Sequence, residues 1–156
     1  MKAIFCFFVL ITIGSCKMPN NIFNKQLITE VYFLSKYDTI ISENKISTYF
    51  SKIYIVDKNI SEANQDSIIK TFVLIEKKRL KVTADQIDFI FYKESNITNE
   101  VHLKKFPKDL DKYSQDNDMV WSFRWHPKYG DKMFSLKYYK GEIVYPKSEV
   151  IIEDIR

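Results

Sequence analysis

Chemistry at a protein surface needs a proton carrier, a nucleophile, a set of metal ligands or a ring to stack on. This chain offers few of each. His102 and His126 are its only histidines. Imidazole is the side chain best suited to carrying a proton near neutral pH, so a hydrolytic site would need one of them beside a hydroxyl and a carboxylate. No G-x-S-x-G turn is present to expose a serine, and no H-E-x-x-H sets two imidazoles on one helix face for zinc. Both histidines are read as surface residues. Asp109, Asp111, Asp116 and Asp118 crowd one stretch, and carboxylate oxygens are what calcium takes. The run Asp116-Asn117-Asp118-Met119-Val120-Trp121 lacks the ligand spacing and the glycine of an EF-hand loop, so it reads as a solvated acidic loop. With Gly14, Gly130 and Gly141 the whole glycine complement, no glycine-rich loop can cradle a phosphate or a dinucleotide. Trp121, Phe123 and Trp125 share one face of an alternating run, and exposed rings there could stack on a sugar or a peptide. Ser122, Arg124 and His126 form a natural solvent face opposite them, which favours a core role and leaves ligand stacking by Trp121 and Trp125 as the lesser reading. No catalytic, cofactor or metal residue is assigned.

The residue with the clearest chemistry is Cys16. A lone Lys2 precedes an apolar run from Ile4 to Ile13, followed by Gly14-Ser15-Cys16-Lys17. A short basic start, about ten apolar residues and small residues at a cut site are the layout of a secretion signal. A spanning helix needs about twenty apolar residues, and Lys17, Pro19, Asn20 and Asn21 end this run well before that. Ile13-Gly14-Ser15-Cys16 resembles the lipobox of bacterial lipoproteins, where a branched aliphatic and two small residues precede the modified cysteine. The resemblance covers about the first seventeen residues. It implies cleavage before Cys16, a diacylglycerol on its thiol, and acylation of the new amine. Ile13 stands where leucine is commoner, and the basic start is thin. Two or three acyl chains make a durable anchor where one is marginal. Lys17 stands where an aspartate would imply retention in the inner membrane, so the resemblance implies the outer membrane in a Gram-negative host.

Removing residues 1–15 leaves 141 of 156 residues, enough for one domain with its own core. Cys6 would leave with the signal and Cys16 would be taken by lipid, which leaves no thiol for a disulfide, thiol catalysis or a zinc-cysteine site. Stability must then come from apolar burial, and a composition 46% hydrophobic and 15% aromatic suits that. The formal charge of +4 falls to +3 without Lys2, and no patch is basic enough to predict nucleic-acid binding. The densest basic run, Lys77-Lys78-Arg79-Leu80-Lys81, fits the end of a helix, where cations complement the dipole.

The elements that would position these residues follow from periodicity. Residues 16–24 form the lipidated cysteine and a short tether. The domain, 25–156, opens with a β-branched, aromatic strand over Leu27–Leu34 and a polar connection over residues 37–44, in which Ile40-Ile41 could start a second short strand or sit in a loop. A further strand candidate lies within Ile46–Val56. Ser61 to Leu80 is the one convincing helix, with Ile68, Ile69, Phe72 and Ile75 on one face and the cations in its last turn. Strands are predicted over Gln86–Lys93, Met119–His126 and Met133–Tyr139. Val101-His102-Leu103 would pair briefly and residues 104–118 would form the longest loop. Lys140-Gly141 makes a tight turn into a strand at Ile143, and Glu149–Ile155 is a strand or a short helix. The expected class is α+β: an antiparallel β-sheet with one main α-helix packed on one face. The expected role is a lipid-anchored component of the cell envelope acting as a non-enzymatic binding or assembly module, with the membrane and an envelope protein as its partners. The alternatives are an immunity or inhibitor protein against an envelope toxin or hydrolase, and a small envelope hydrolase.

Overall fold

In the twelve residues from Lys45 to Val56 the chain alternates well enough to make one long strand, and the sheet is built outward from it. The computed structural model describes residues 27–42, 45–110, 117–130 and 132–151. Cys16, the tether and the predicted signal lie outside them. Strands β1 (Ile28–Glu30), β2 (Lys36–Ser42), β3 (Lys45–Val56), β4 (Gln86–Lys93), β5 (Met119–Trp125), β6 (Met133–Tyr139) and β7 (Glu142–Ile151) form one seven-stranded sheet. Its order is β1-β3-β4-β5-β6-β7, with β2 continuing the β1 edge along the other half of β3. The class is α+β, with helix α1 (Glu62–Arg79) packed on the sheet. All strand pairs are antiparallel except β3 and β4, which run parallel, so the sheet is mixed. The reason is connectivity: α1 carries the chain back across the sheet, which a tight hairpin cannot do.

Helix α1 lays Gln65, Ile69, Val73 and Lys77 on the sheet at a spacing of four, flanked by Ile68 and Phe72. Beneath it, neighbouring strands bring Tyr54, Phe91 and Trp121 into one cross-strand row, and Phe89 and Phe123 into the next. Tyr54 stacks on Phe91 at 4.9 Å, and Trp121 on Phe123 at 5.3 Å. A second core lies on the opposite face, where Val31, Leu34, Ile55, Tyr92, Leu103 and Leu110 meet. Helix α2 (Glu100–Lys105) covers that face, started by Asn99, whose Oδ1 accepts from the His102 N–H at 2.8 Å.

Four local expectations are corrected. Residues 101–103 are helical, because the Asn99 cap and the buried Leu103 hold them against the second core. Tyr32–Leu34 is a turn of 3-10 helix that breaks the first strand after Glu30. The polar stretch expected as a connection is β2, an edge strand whose side chains face water and therefore carry no alternating signal. The predicted 104–118 loop starts inside α2, and its residues 111–116 lie outside the described ones.

Below β3 a polar clip closes the start of β4. The Thr48 N–H and hydroxyl both donate to Asp85 Oδ2, at 2.8 and 3.0 Å, and the Asp85 N–H returns to the Thr48 carbonyl at 2.9 Å. Those two donors hold the Asp85 carboxyl below the usual aspartate range, with Lys128 and Lys45 adding to the effect and desolvation opposing it. A depressed carboxyl stabilises the fold above its unfolded value and loses that contribution as pH falls through the folded one. The stability of the wild type should therefore fall from about pH 4 downward through this group. Asp85→Asn should show a flatter acid limb in urea titrations across that range; an identical slope would refute the assignment.

Candidate functional site

The end of the sheet nearest the N-terminus of α1 gathers side chains from five separated segments. One cross-strand row runs from Tyr54 at one end to Lys137 at the other, since Tyr54 lies opposite Phe91, Phe91 opposite Trp121, and Trp121 opposite Lys137. From α1, Asp66 reaches down to both ends of the last step. The Trp121 indole N–H donates to Asp66 Oδ1 at 2.9 Å, and Lys137 Nζ donates to Asp66 Oδ2 at 2.5 Å. Lys70 and Lys137 place their ammonium groups 5.0 and 5.8 Å from the Trp121 ring centroid. At 1% exposure, with Phe123 stacked on it, Trp121 has no ring face open to a ligand. Trp125 is half-buried; its N–H goes to the Gly130 carbonyl at 2.8 Å, and Lys77 stands 5.1 Å from its centroid. The structure thus uses the two tryptophans the sequence offered for stacking as core and core margin.

Beside this row opens a cleft of about 320 Å³, its polar wall made by Gln65, Lys93, Asn117 and Lys140 with Glu62 on the helix side, and the larger, apolar part of its lining including Met119, Val120 and Val144. Its size is at the lower end for a small-molecule site. Lys93 ends β4 and Lys140 begins the β6–β7 turn, and neither pairs with a carboxylate among the described residues. Lys140 has a φ of 49° and Gly141 of 79°, the left-handed pair a two-residue hairpin needs. Gln65 forms the inner wall. It is 6% exposed, and its Nε2 has no hydrogen-bond partner among the described residues. Leaving such a shut-in amide unpaired costs about 1–3 kcal/mol. The arrangement offers the ammonium groups of Lys93 and Lys140 and amide donors, with Lys137 already bonded to Asp66: it can hold an anionic oxygen-rich group.

No family model, curated protein or solved structure matches this chain. The site therefore rests on its own geometry.

The residues singled out in the sequence are dispersed. His102 Nε2 meets Asp109 Oδ2 at 2.8 Å on α2, with Phe106 against the ring. His126 is on the other side of the molecule, where its Nδ1–H donates to the Asp85 carbonyl at 3.2 Å. Neither ring has a hydroxyl partner among the described residues. Asp118 accepts from the Ser95 and Thr98 hydroxyls at 2.7 and 2.6 Å and so ties the loop before α2 to the start of β5. Asp111 and Asp116 lie outside the described residues. Among those residues, no three His, Cys, Asp or Glu side chains are grouped to hold a metal ion, and no helix is long and apolar enough to cross a membrane.

Sequence reading missed Gln65, Lys93, Lys137 and Lys140. Each looks like an ordinary solvated residue in its own segment. The one available signal was Gln65 itself, four residues before Ile69 and eight before Val73, which puts it on the buried stripe of α1.

Proposed function

We propose that the chain is a lipid-anchored binding module of the bacterial cell envelope, held at a membrane by acyl groups on Cys16. The observation that carries this is the order of residues at the N-terminus: an apolar run too short to span, then Ile13-Gly14-Ser15-Cys16. Support for binding as the role comes from the domain. Its histidines and most of its interior carboxylates are engaged in pairs that hold loops and strands together. The cleft beside α1 presents cations and amide donors.

Growth of host cells with an alkyne-bearing fatty acid tests the anchor. The wild-type chain should take up the label and run as a form shortened by about fifteen residues. Cys16→Ser should remain unlabelled. An unlabelled wild-type chain, or equal labelling of Cys16→Ser, would refute the anchor.

A further inference from the structure

The cleft stands at the same end of the sheet as the start of the described chain. Leu27 enters β1, where Ile28 lies opposite Val56. Val56 is opposite Lys93 in β4, and Tyr92, next to Lys93, is opposite Met119 at the start of β5. Trp121 is opposite Lys137, so β6 runs back to place Lys140 at that end too. Residues 17–26 between Cys16 and Leu27 cannot reach beyond about 40 Å even when fully extended. An acylated Cys16 would thus hold the start of β1, at this lysine-bearing end, within about 40 Å of the bilayer surface.

The chemistry of the walls fits that neighbour. A phosphodiester offers only acceptors and carries one negative charge, and Lys93 and Lys140 supply ammonium donors as point charges. Gln65 supplies the buried donor with no partner, Nε2, at the inner wall. Asn117 at the rim adds a second amide. Asp66 and Lys137 are already paired with each other, which leaves Lys93 and Lys140 against Glu62, the opposing carboxylate on the wall. The remaining balance is positive. We propose that this cleft binds the phosphate group of an anionic phospholipid in the membrane that carries the protein. The proposal rests on the Cys16 anchor for its lipid source; the phosphate chemistry belongs to the cleft alone.

Trp121 reports on the site, because it shares Asp66 with Lys137. In the Trp125→Phe background it is the sole tryptophan, so its emission can be followed alone. The acylated full chain carrying Trp125→Phe is reconstituted into phosphatidylcholine vesicles, and Trp121 emission is titrated in two arms. One raises the fraction of phosphatidylglycerol; the other adds soluble glycerol phosphate. The expected result is a saturable change with phosphatidylglycerol, and the Lys93→Ala/Lys140→Ala pair should need about thirtyfold more lipid. Gln65→Leu, which keeps the volume and removes the donor, should weaken binding with the fold intact. Saturation by glycerol phosphate with no preference for the lipid supports the phosphate site and overturns the lipid source. An unchanged emission in both arms, or an unaltered response in the lysine variant, overturns the site. The two readings separate cleanly: absence of fatty-acid label on Cys16 removes the anchor, while the soluble arm still tests the cleft.

Discussion

Lys52→Met should destabilise the protein by about 3–5 kcal/mol, a large share of the 5–15 kcal/mol that holds a typical domain together. Lys52 is on the α1 face of β3 and only 8% exposed. Its Nζ stands between two carboxylates, 3.0 Å from Glu30 Oε2 on β1 and 3.2 Å from Glu76 Oε2 on α1. Tyr54, next along that face of β3, donates its hydroxyl to the same Glu76 oxygen at 3.4 Å. Burial first, then Glu76 and Glu30, push the Tyr54 phenol far up, so it stays a neutral donor. Methionine matches the lysine stem but leaves Glu30 and Glu76 facing one another with only the exposed Arg79, 3.7 Å from Glu76 Oε1, as a cation beside them. Most of the loss comes from those stranded charges rather than from the lost attraction. The triple change Lys52→Met/Glu30→Gln/Glu76→Gln should therefore recover much of the stability, and acidification should shrink the deficit of Lys52→Met alone. Urea unfolding of the three proteins decides it: a single variant within about 1 kcal/mol of wild type would mean the group is solvated enough to be indifferent.

Trp121→Ala is expected to cost a similar amount, about 3–5 kcal/mol, and to act on folding before it acts on any ligand. The indole fills the space between α1 and β5, stacks on Phe123, and gives its only N–H to Asp66. Alanine leaves a cavity there and takes a partner from a carboxylate that also steadies Lys137. Trp121→Phe keeps most of the volume and removes the hydrogen bond, so its loss should be nearer 1–2 kcal/mol. A ring that served as a stacking platform would behave in the opposite way, with stability unchanged and ligand affinity reduced. Thermal and urea unfolding of both variants separate the two roles.

How far these features could be read from the residues depended on how local their causes are. Helix α1 was expected over Ser61–Leu80 and is found at Glu62–Arg79, because an amphipathic stripe repeats every turn within one segment. Strand β4 over Gln86–Lys93 and β6 over Met133–Tyr139 match for the same reason, each alternating within its own few residues. Strand β2 was legible only as a short strand or a loop at Ile40-Ile41, because an exposed edge does not need apolar alternation. Helix α2 was missed because six residues show no period, though Asn99 carried its start signal. The cleft was the least legible. Lys93, Lys137 and Lys140 are separated by whole elements, and nothing in a single segment distinguishes a lysine in a cleft from one in open water. The parallel pairing of β3 with β4 was likewise a property of the connection, not of either strand.

That parallel pair also governs how the molecule can assemble. Strands β5, β6 and β7 are joined by short links, and β2 meets β3 across residues 43–44, so each of these groups closes small loops at low entropic cost. Strand β4 has no such neighbour. It joins β3 only after residues 57–85 have looped back, and β5 only after residues 94–118 have done so. Two locally formed halves must therefore converge on one central strand, the one that carries Phe89 and Phe91 into the core. Folding speed is then set by a late, long-range meeting at β4.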